Sequence, residues 1–249
     1  MRFFLLMVLL LVGCPSASPE PDSDPAPADE AVVTFTTADG ETLEADWYAA
    51  DAAGSGAVVL FHMIPPNNDR TGYPSALREA LHAQGVSVLN VDRRGAGGST
   101  GSAPAAYEGP GGLLDVQAAV TYATEHGADP EKLVLVGASN GTTSVYDYVV
   151  ARAAGFPQAA AVVFMSPGTY TENQNDFAPT QAEWDVSLSF PFLWLYPTTE
   201  PYAQAFVPDA PGAWKFVEDG QQHGTNMFDG GELETSTKAE LTAWVAAAQ

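Results

Sequence analysis

The chain has 249 residues, 46% of them apolar, so it is not disordered throughout and can bury one sizeable core. Its 31 acidic and 9 basic residues leave a formal net charge of −22. A surface that negative repels phosphate backbones and anionic headgroups, which argues against a nucleic-acid partner. A single cysteine, Cys14, rules out an intramolecular disulfide, so the core must carry the domain.

In chain order the first expected element is an address. Met1-Arg2 is followed by an unbroken apolar run from Phe3 to Val12. Ten residues span about 15 Å as a helix, too short for a bilayer core but right for the hydrophobic part of a signal peptide. The ending Leu11-Val12-Gly13-Cys14 resembles the bacterial lipobox, and that resemblance implies cleavage before Cys14 and diacylation of its thiol. An ordinary signal peptide with an incidental cysteine is the plainer alternative. Residues 15–30 hold five prolines, five acids and no large apolar side chain, so this stretch reads as an extended tether. The expected organisation is therefore a signal peptide over 1–13, a lipidated Cys14 with its tether over 14–30, and one domain over 31–249. Membrane contact is expected through the lipid alone. Pro15 stands where an aspartate would suggest inner-membrane retention, which points to the outer membrane of a bacterial envelope.

From residue 31 short β-rich runs alternate with helical stretches. Strands are expected over 31–37, 42–49, 56–62, 86–92, 131–137, 159–165, 190–196 and 213–218, and helices over 72–84, 112–126, 141–154, 200–206 and 231–247. Ala57 to Phe61, Val86 to Val91 and Leu133 to Val136 are nearly continuous apolar runs, as parallel strands covered on both faces require. Asp39-Gly40 predicts a hairpin turn between the first two strands. A hairpin followed by repeated strand–helix units gives an α/β fold with a mostly parallel sheet and helices on both faces.

Gly137-Ala138-Ser139-Asn140-Gly141 follows a buried strand and opens a helix. A turn that sharp leaves no room for side chains beside the serine, hence the glycines, and it lifts the hydroxyl to the helix N-terminus. This G-x-S-x-G in its strand–turn–helix setting resembles the α/β-hydrolase superfamily, of the serine-esterase and dienelactone-hydrolase kind, over most of residues 40–249. Asp92-Arg93-Arg94-Gly95-Ala96-Gly97-Gly98-Ser99 is similar to the family's D-x-R-G-x-G-x-S segment, which is structural there. The competing phosphate-loop reading lacks the closing Lys-Ser/Thr. Phe61-His62-Met63-Ile64-Pro65 is similar to the H-G-x-P oxyanion loop, with Met63 in place of glycine.

The resemblance implies Ser139 as nucleophile, an eight-stranded sheet, and the chain order serine, acid, histidine. Of the four histidines, His82 and His126 fall in last helical turns and His62 precedes the serine. His223 follows the last strand and is the expected base. The acid is expected at Glu200, four residues beyond the strand ending at Tyr196, where the family has aspartate; a helix-start charge before Pro201 is the plain alternative, and Asp176 is the runner-up acid. The oxyanion donors are expected to be the backbone amides of Asn140 and of Ile64 or Met63. About 24 residues between the sixth and seventh strands leave no room for a large cap. Tyr73, Tyr170, Phe177 and Trp184 could line the pocket or belong to the core. The expected activity is cleavage of an ester-type bond in a small acyl substrate through a covalent acyl-enzyme, with no cofactor and no metal. The alternative from another class is a surface lipoprotein that keeps the fold as a binding module.

Overall fold

A computed structural model describes residues 30–151, 153–168, 191–200, 213–218, 222–229 and 231–249. Cys14, the expected signal segment and residues 14–29 of the expected tether lie outside them, as do Asp176, Tyr170, Phe177, Trp184 and all but the first residue of the expected helix 200–206. Glu30, the last residue of the expected tether, is described and pairs with Arg78 at 2.8 Å.

The described strands are β1 (Ala31–Thr36), β2 (Thr42–Tyr48), β3 (Ala57–Phe61), β4 (Ser87–Val91), β5 (Leu133–Ala138), β6 (Ala161–Met165), β7 (Phe192–Pro197) and β8 (Ala213–Glu218). They form one sheet in the order β1-β2-β4-β3-β5-β6-β7-β8. The pairs β1·β2 and β2·β4 are antiparallel and every other pair is parallel. The connections after the adjacent strands β3 and β5 leave in opposite directions, and ligands of such sheets collect beyond the carboxyl ends at a switch point of this kind.

The apolar runs alternate inside the sheet. Val59 and Phe61 of β3, Leu135 of β5 and Trp194 of β7 join one core layer, together with Val116 and Val120 of helix α2 (Gly111–Glu125) and Val145 and Tyr148 of α3 (Gly141–Ala151). Val58, Leu60, Val136 and Leu195 join the other layer, with Leu77 and Leu81 of α1 (Ser75–His82) and Leu241 and Val245 of α4 (Gly231–Ala247). Each fully buried side chain of this size contributes about 1.5–3 kcal/mol, and both layers are needed because the middle strands have no polar face. The edge strand β1 is different: its exposure alternates and Val32 is 62% exposed.

The hairpin forms where the Asp39-Gly40 turn was expected. Gly40 has φ 93°, and Thr37 and Gly40 close the turn through backbone bonds. The expected helix 72–84 is shorter. A 3-10 turn at Arg70–Gly72 comes first, and Pro74 stands at the N-cap, so α1 begins at Ser75. Proline lacks an N–H and restricts the residue before it, which keeps Tyr73 out of the helix. Strand boundaries shift by one or two residues elsewhere: β6 starts at Ala161 rather than 159, and β7 at Phe192, after Pro191, rather than 190.

Candidate active site

The elbow forms between β5 and α3. Ser139 has φ 51°, a left-handed conformation that costs a non-glycine residue about 1–3 kcal/mol. It is held there from both sides. Its N–H donates to Met165 O of β6 at 2.8 Å, and its carbonyl accepts from Thr142 N at 2.9 Å and Thr142 Oγ1 at 2.6 Å. The flanking glycines are steric necessities: a Cβ on Gly137 would lie 2.6 Å from Gly141 O, and one on Gly141 would lie 2.5 Å from His62 O.

His223 Nε2 stands 2.6 Å from Ser139 Oγ, while its Nδ1 meets Glu200 Oε1. A carboxylate can only accept, so Nδ1 carries the proton and Nε2 offers its lone pair to the serine hydroxyl. Glu200 is buried at the carboxyl end of β7, its N–H closing a turn onto Pro197 O at 3.0 Å. Its second oxygen, Oε2, has no hydrogen-bond partner among the described residues. The structure thus brings Ser139, His223 and Glu200 together from the ends of β5, β8 and β7, and Asp176 lies outside the described residues.

The loop that carries His223 has its own anchor. The next residue, Gly224, donates its N–H to Ser166 Oγ at 2.9 Å. Ser166 is fully buried directly after β6 and is itself left-handed, φ 49°. Gly224 also has positive φ, and a Cβ there would lie 2.6 Å from Met63 Sδ and 3.5 Å from Ser139 Cβ, so the methionine side chain fills the space that glycine leaves beside Ser139. Ser166 was not singled out in the sequence. Its signal would have been a small polar residue and Pro167 directly after an apolar strand.

His62 is a pillar of the β3 loop. It is fully buried, its Nδ1 bonds Met63 O at 2.8 Å, and its Nε2 receives the Arg93 N–H at 2.9 Å. Because Arg93 N–H is the donor, Nε2 must be the acceptor and Nδ1 carries the proton. Desolvation, reinforced by the Arg93 charge, pushes this imidazole down to about 3, so it stays neutral. Met63 is buried and Ile64 half-buried, and the N–H groups of Met63, Ile64 and Asn140 make no hydrogen bond to any described residue. Tyr73 is core: it is fully buried and its hydroxyl donates to Phe61 O at 3.2 Å.

The Asp92–Ser99 segment is structural here as well. Asp92 accepts from Arg70 N and Gly98 N, at 2.8 and 3.0 Å, and pairs with the Arg70 guanidinium. Arg94 pairs with Asp115 of α2 and with Asp39 of the hairpin turn, at 2.8 and 2.7 Å. Among the described residues no group of three or more His, Cys, Asp or Glu side chains is placed to hold a metal, and no helix is long and apolar enough to cross a membrane.

Residues 53–215, more than half of the chain, match the family described as serine aminopeptidase S33. The chain belongs to this family. The matched stretch contains Ser139 and Glu200, and His223 lies just beyond it. The three side chains stand in the arrangement of a serine-hydrolase triad. Two uncharacterized proteins of Mycobacterium tuberculosis, from strains CDC 1551 and H37Rv, are each 32% identical over 161 residues, 64% of this chain. The chain spans about half the length of these curated relatives, 53% of each. Among solved structures, an esterase of Pyrococcus furiosus superposes with a TM-score of 0.67 at 16% identity, over 87% of this chain and 90% of that one. An esterase from Rhodococcus sp. ECU1013 gives 0.66 at 15% identity, over 88% of this chain and 99% of that one. These likenesses show the α/β-hydrolase fold.

Proposed function

We propose that this protein hydrolyses carboxylic esters of small acyl substrates through a covalent ester on Ser139. The observation that carries the reading is one imidazole bridging two partners, with His223 Nε2 at 2.6 Å from Ser139 Oγ and Nδ1 on Glu200. In this reading His223 takes the serine proton as Oγ attacks the acyl carbon, then gives it to the departing alcohol. Glu200 fixes the productive tautomer and stabilises the imidazolium. The amides of Asn140 and of Ile64 or Met63 receive the oxyanion, which suits their lack of other partners. Water then attacks the acyl-enzyme, with His223 again as base, and releases the acid.

An ester rather than a peptide bond is favoured by the solved relatives' being esterases. Peptide cleavage is the second reading, favoured by the family's description. A p-nitrophenyl ester and an aminoacyl p-nitroanilide, assayed side by side, separate the two. Fluorophosphonate should label the wild type and not Ser139→Ala, whose ester turnover should fall roughly a million-fold. Equal labelling of Ser139→Ala would sink the nucleophile assignment, and an unlabelled wild type would favour a binding module.

The reading also counts the sheet as eight strands, on the strand order, and leaves no large cap over the site, on the short stretch between β6 and β7. It further puts the domain, residues 31–249, on a bacterial membrane through a diacylated Cys14. The support is the Leu11–Cys14 sequence and the acidic, proline-rich stretch behind it. Two acyl chains give stable anchoring where one does not. Cys14→Ser should abolish detergent-phase partitioning, and unchanged partitioning would remove the anchor.

A further inference from the structure

Arg93 is fully buried and lies behind the nucleophile elbow. Its Nη1 donates to Asn140 Oδ1 at 2.9 Å and reaches Met63 O at 3.3 Å and His62 O at 3.4 Å. Nη2 donates to Ala106 O at 2.7 Å and to Ser144 Oγ of α3 at 2.8 Å. Among the described residues no carboxylate lies within ion-pair distance of it; the neighbouring acids Asp92 and Asp115 pair with Arg70 and Arg94. Burial pushes the guanidinium down to about 10, which leaves it cationic at neutral pH. A desolvated cation without a counter-ion is costly, and neutral donors would serve a purely structural tie at lower cost.

The groups it holds give the charge a purpose. Met63 O is gripped twice, by Arg93 Nη1 and by His62 Nδ1–H. In a planar trans peptide the carbonyl and the following N–H point in opposite directions. Fixing Met63 O toward Arg93 therefore turns the Ile64 N–H away from it, and the His62 O contact does the same for the Met63 N–H. These are amides that have no partner of their own. A cation bonded to the carbonyl end of a peptide also makes its N–H a stronger donor, because chained hydrogen bonds polarise one another.

We propose that Arg93 is a positioning residue for the oxyanion hole: from behind, it sets the peptide planes of the His62–Ile64 loop and the Asn140 side chain, and it polarises the loop amides toward the negative charge that forms at Ser139. The proposal rests on Ser139 acyl chemistry. Its effect appears in the transition state and not in substrate binding, so it separates kcat from KM.

The test compares Arg93→Met, Arg93→Lys and Asn140→Asp on a p-nitrophenyl ester, with rates normalised to sites titrated by fluorophosphonate and Ser139→Ala as the control. Arg93→Met should lower kcat about 10- to 100-fold, less than the loss of an oxyanion donor itself, with KM held within about threefold. Affinity for a boronic-acid transition-state analogue should fall in the same proportion, and Arg93→Lys should recover part of both. Asn140→Asp tests the charge in a folded protein should Arg93→Met not fold. It places a carboxylate at the 2.9 Å contact and neutralises Arg93 in place, so kcat and analogue affinity should fall while thermal stability holds or rises. Wild-type kcat per titrated site in Arg93→Met, or in Asn140→Asp if only that variant folds, overturns the proposal, even where stability drops. An active Ser139→Ala instead overturns the acyl-enzyme reading beneath it.

Discussion

Arg93 and Arg94 are adjacent in sequence and face opposite problems. Arg94 sits between two carboxylates, Asp115 buried in α2 and Asp39 at the hairpin turn, and ties the antiparallel edge of the sheet to its helical layer. Arg93 meets carbonyls, a hydroxyl and the amide oxygen of Asn140, and no carboxylate among the described residues pairs with it. The same division runs across the molecule. Between β2 and the end of β4, Arg70 is surrounded by Glu44, Asp46 and Asp92. At the elbow, Glu200 keeps one oxygen without a partner among the described residues, and Ser139 is held left-handed. One region uses charge to close on itself; the other leaves unpaired charge and a left-handed backbone around Ser139. Substitutions in the first should change stability with little change in turnover, and substitutions in the second should do the reverse.

The largest departure is expected at Glu200. Glu200→Gln removes the negative partner of His223 Nδ1 and permits the wrong tautomer, so kcat should fall by about 10²- to 10⁴-fold. The buried carboxylate also carries a desolvation cost, so the melting temperature should hold or rise. A variant that loses activity only in proportion to lost folded protein would erase the distinction between the two regions.

Next in size is the paired side. Arg94→Met strands Asp115, which is fully buried and whose carboxyl desolvation already pushes up to about 6. Breaking a buried pair in this way costs about 3–5 kcal/mol. Urea melts should show that loss at pH 7, and kcat per titrated site should stay within a few-fold of wild type. Replacing Asp115 with Asn in the same background should recover part of the stability, since it removes the stranded charge.

How far these regions could be read from the sequence follows from the range of the forces involved. The elbow was legible because its constraint is steric and local: five consecutive residues, 137–141, must make one turn, and only glycine fits at either end. The hairpin at Asp39-Gly40 was legible for the same reason. The family resemblance implied an acid and a base in the loops after the last two strands, and the structure brings Glu200 and His223 to Ser139. The role of Arg93 was hidden because its partners lie 13 to 51 residues away along the chain. The Arg94–Asp39 pair, 55 residues apart, was hidden in the same way. The periodic pattern carried helix α1 two or three residues too far at either end, because apolar spacing does not register that Pro74 must stand outside the helix and that Tyr73 goes to the core.

His62 lies between the two regions, since it supports the site without titrating at working pH. Its imidazole is held down to about 3 in the folded protein against 6.5 when unfolded. A lowered pKa means that the unfolded chain binds the proton more readily, so the stability tied to His62 is complete above pH 6.5 and drains away as pH falls toward 3. At pH 5 the loss is about 2 kcal/mol relative to pH 7.5. His62→Gln keeps one donor and one acceptor and does not titrate. Its stability should therefore be flatter between pH 7.5 and pH 5, measured by urea melts at constant ionic strength. A slope equal to that of the wild type would assign the acid limb to other groups.

The smallest effect sharpens the comparison inside the paired region itself. Asp39 makes two bonds to Arg94, at 2.7 and 3.1 Å, and its carboxyl is lowered to about 2, first by the hydrogen bond from Arg94. Taken at face value a shift of that size is worth more than 2 kcal/mol, but the Asp39 side chain is 40% exposed and solvent screens it. Asp39→Asn should cost under about 1 kcal/mol at pH 7, well below the cost of Arg94→Met. The sign is that of a lowered acid: the contribution is present above pH 3.8 and vanishes as pH falls through 2. Added salt should shrink it further, whereas the buried Arg94–Asp115 pair should respond little. If Asp39→Asn matched Arg94→Met in cost, the hairpin turn would be part of the cooperative core and not a screened tie across its edge. Equal salt sensitivity in both variants would lead to the same conclusion, because it would place solvent at Asp115 as well.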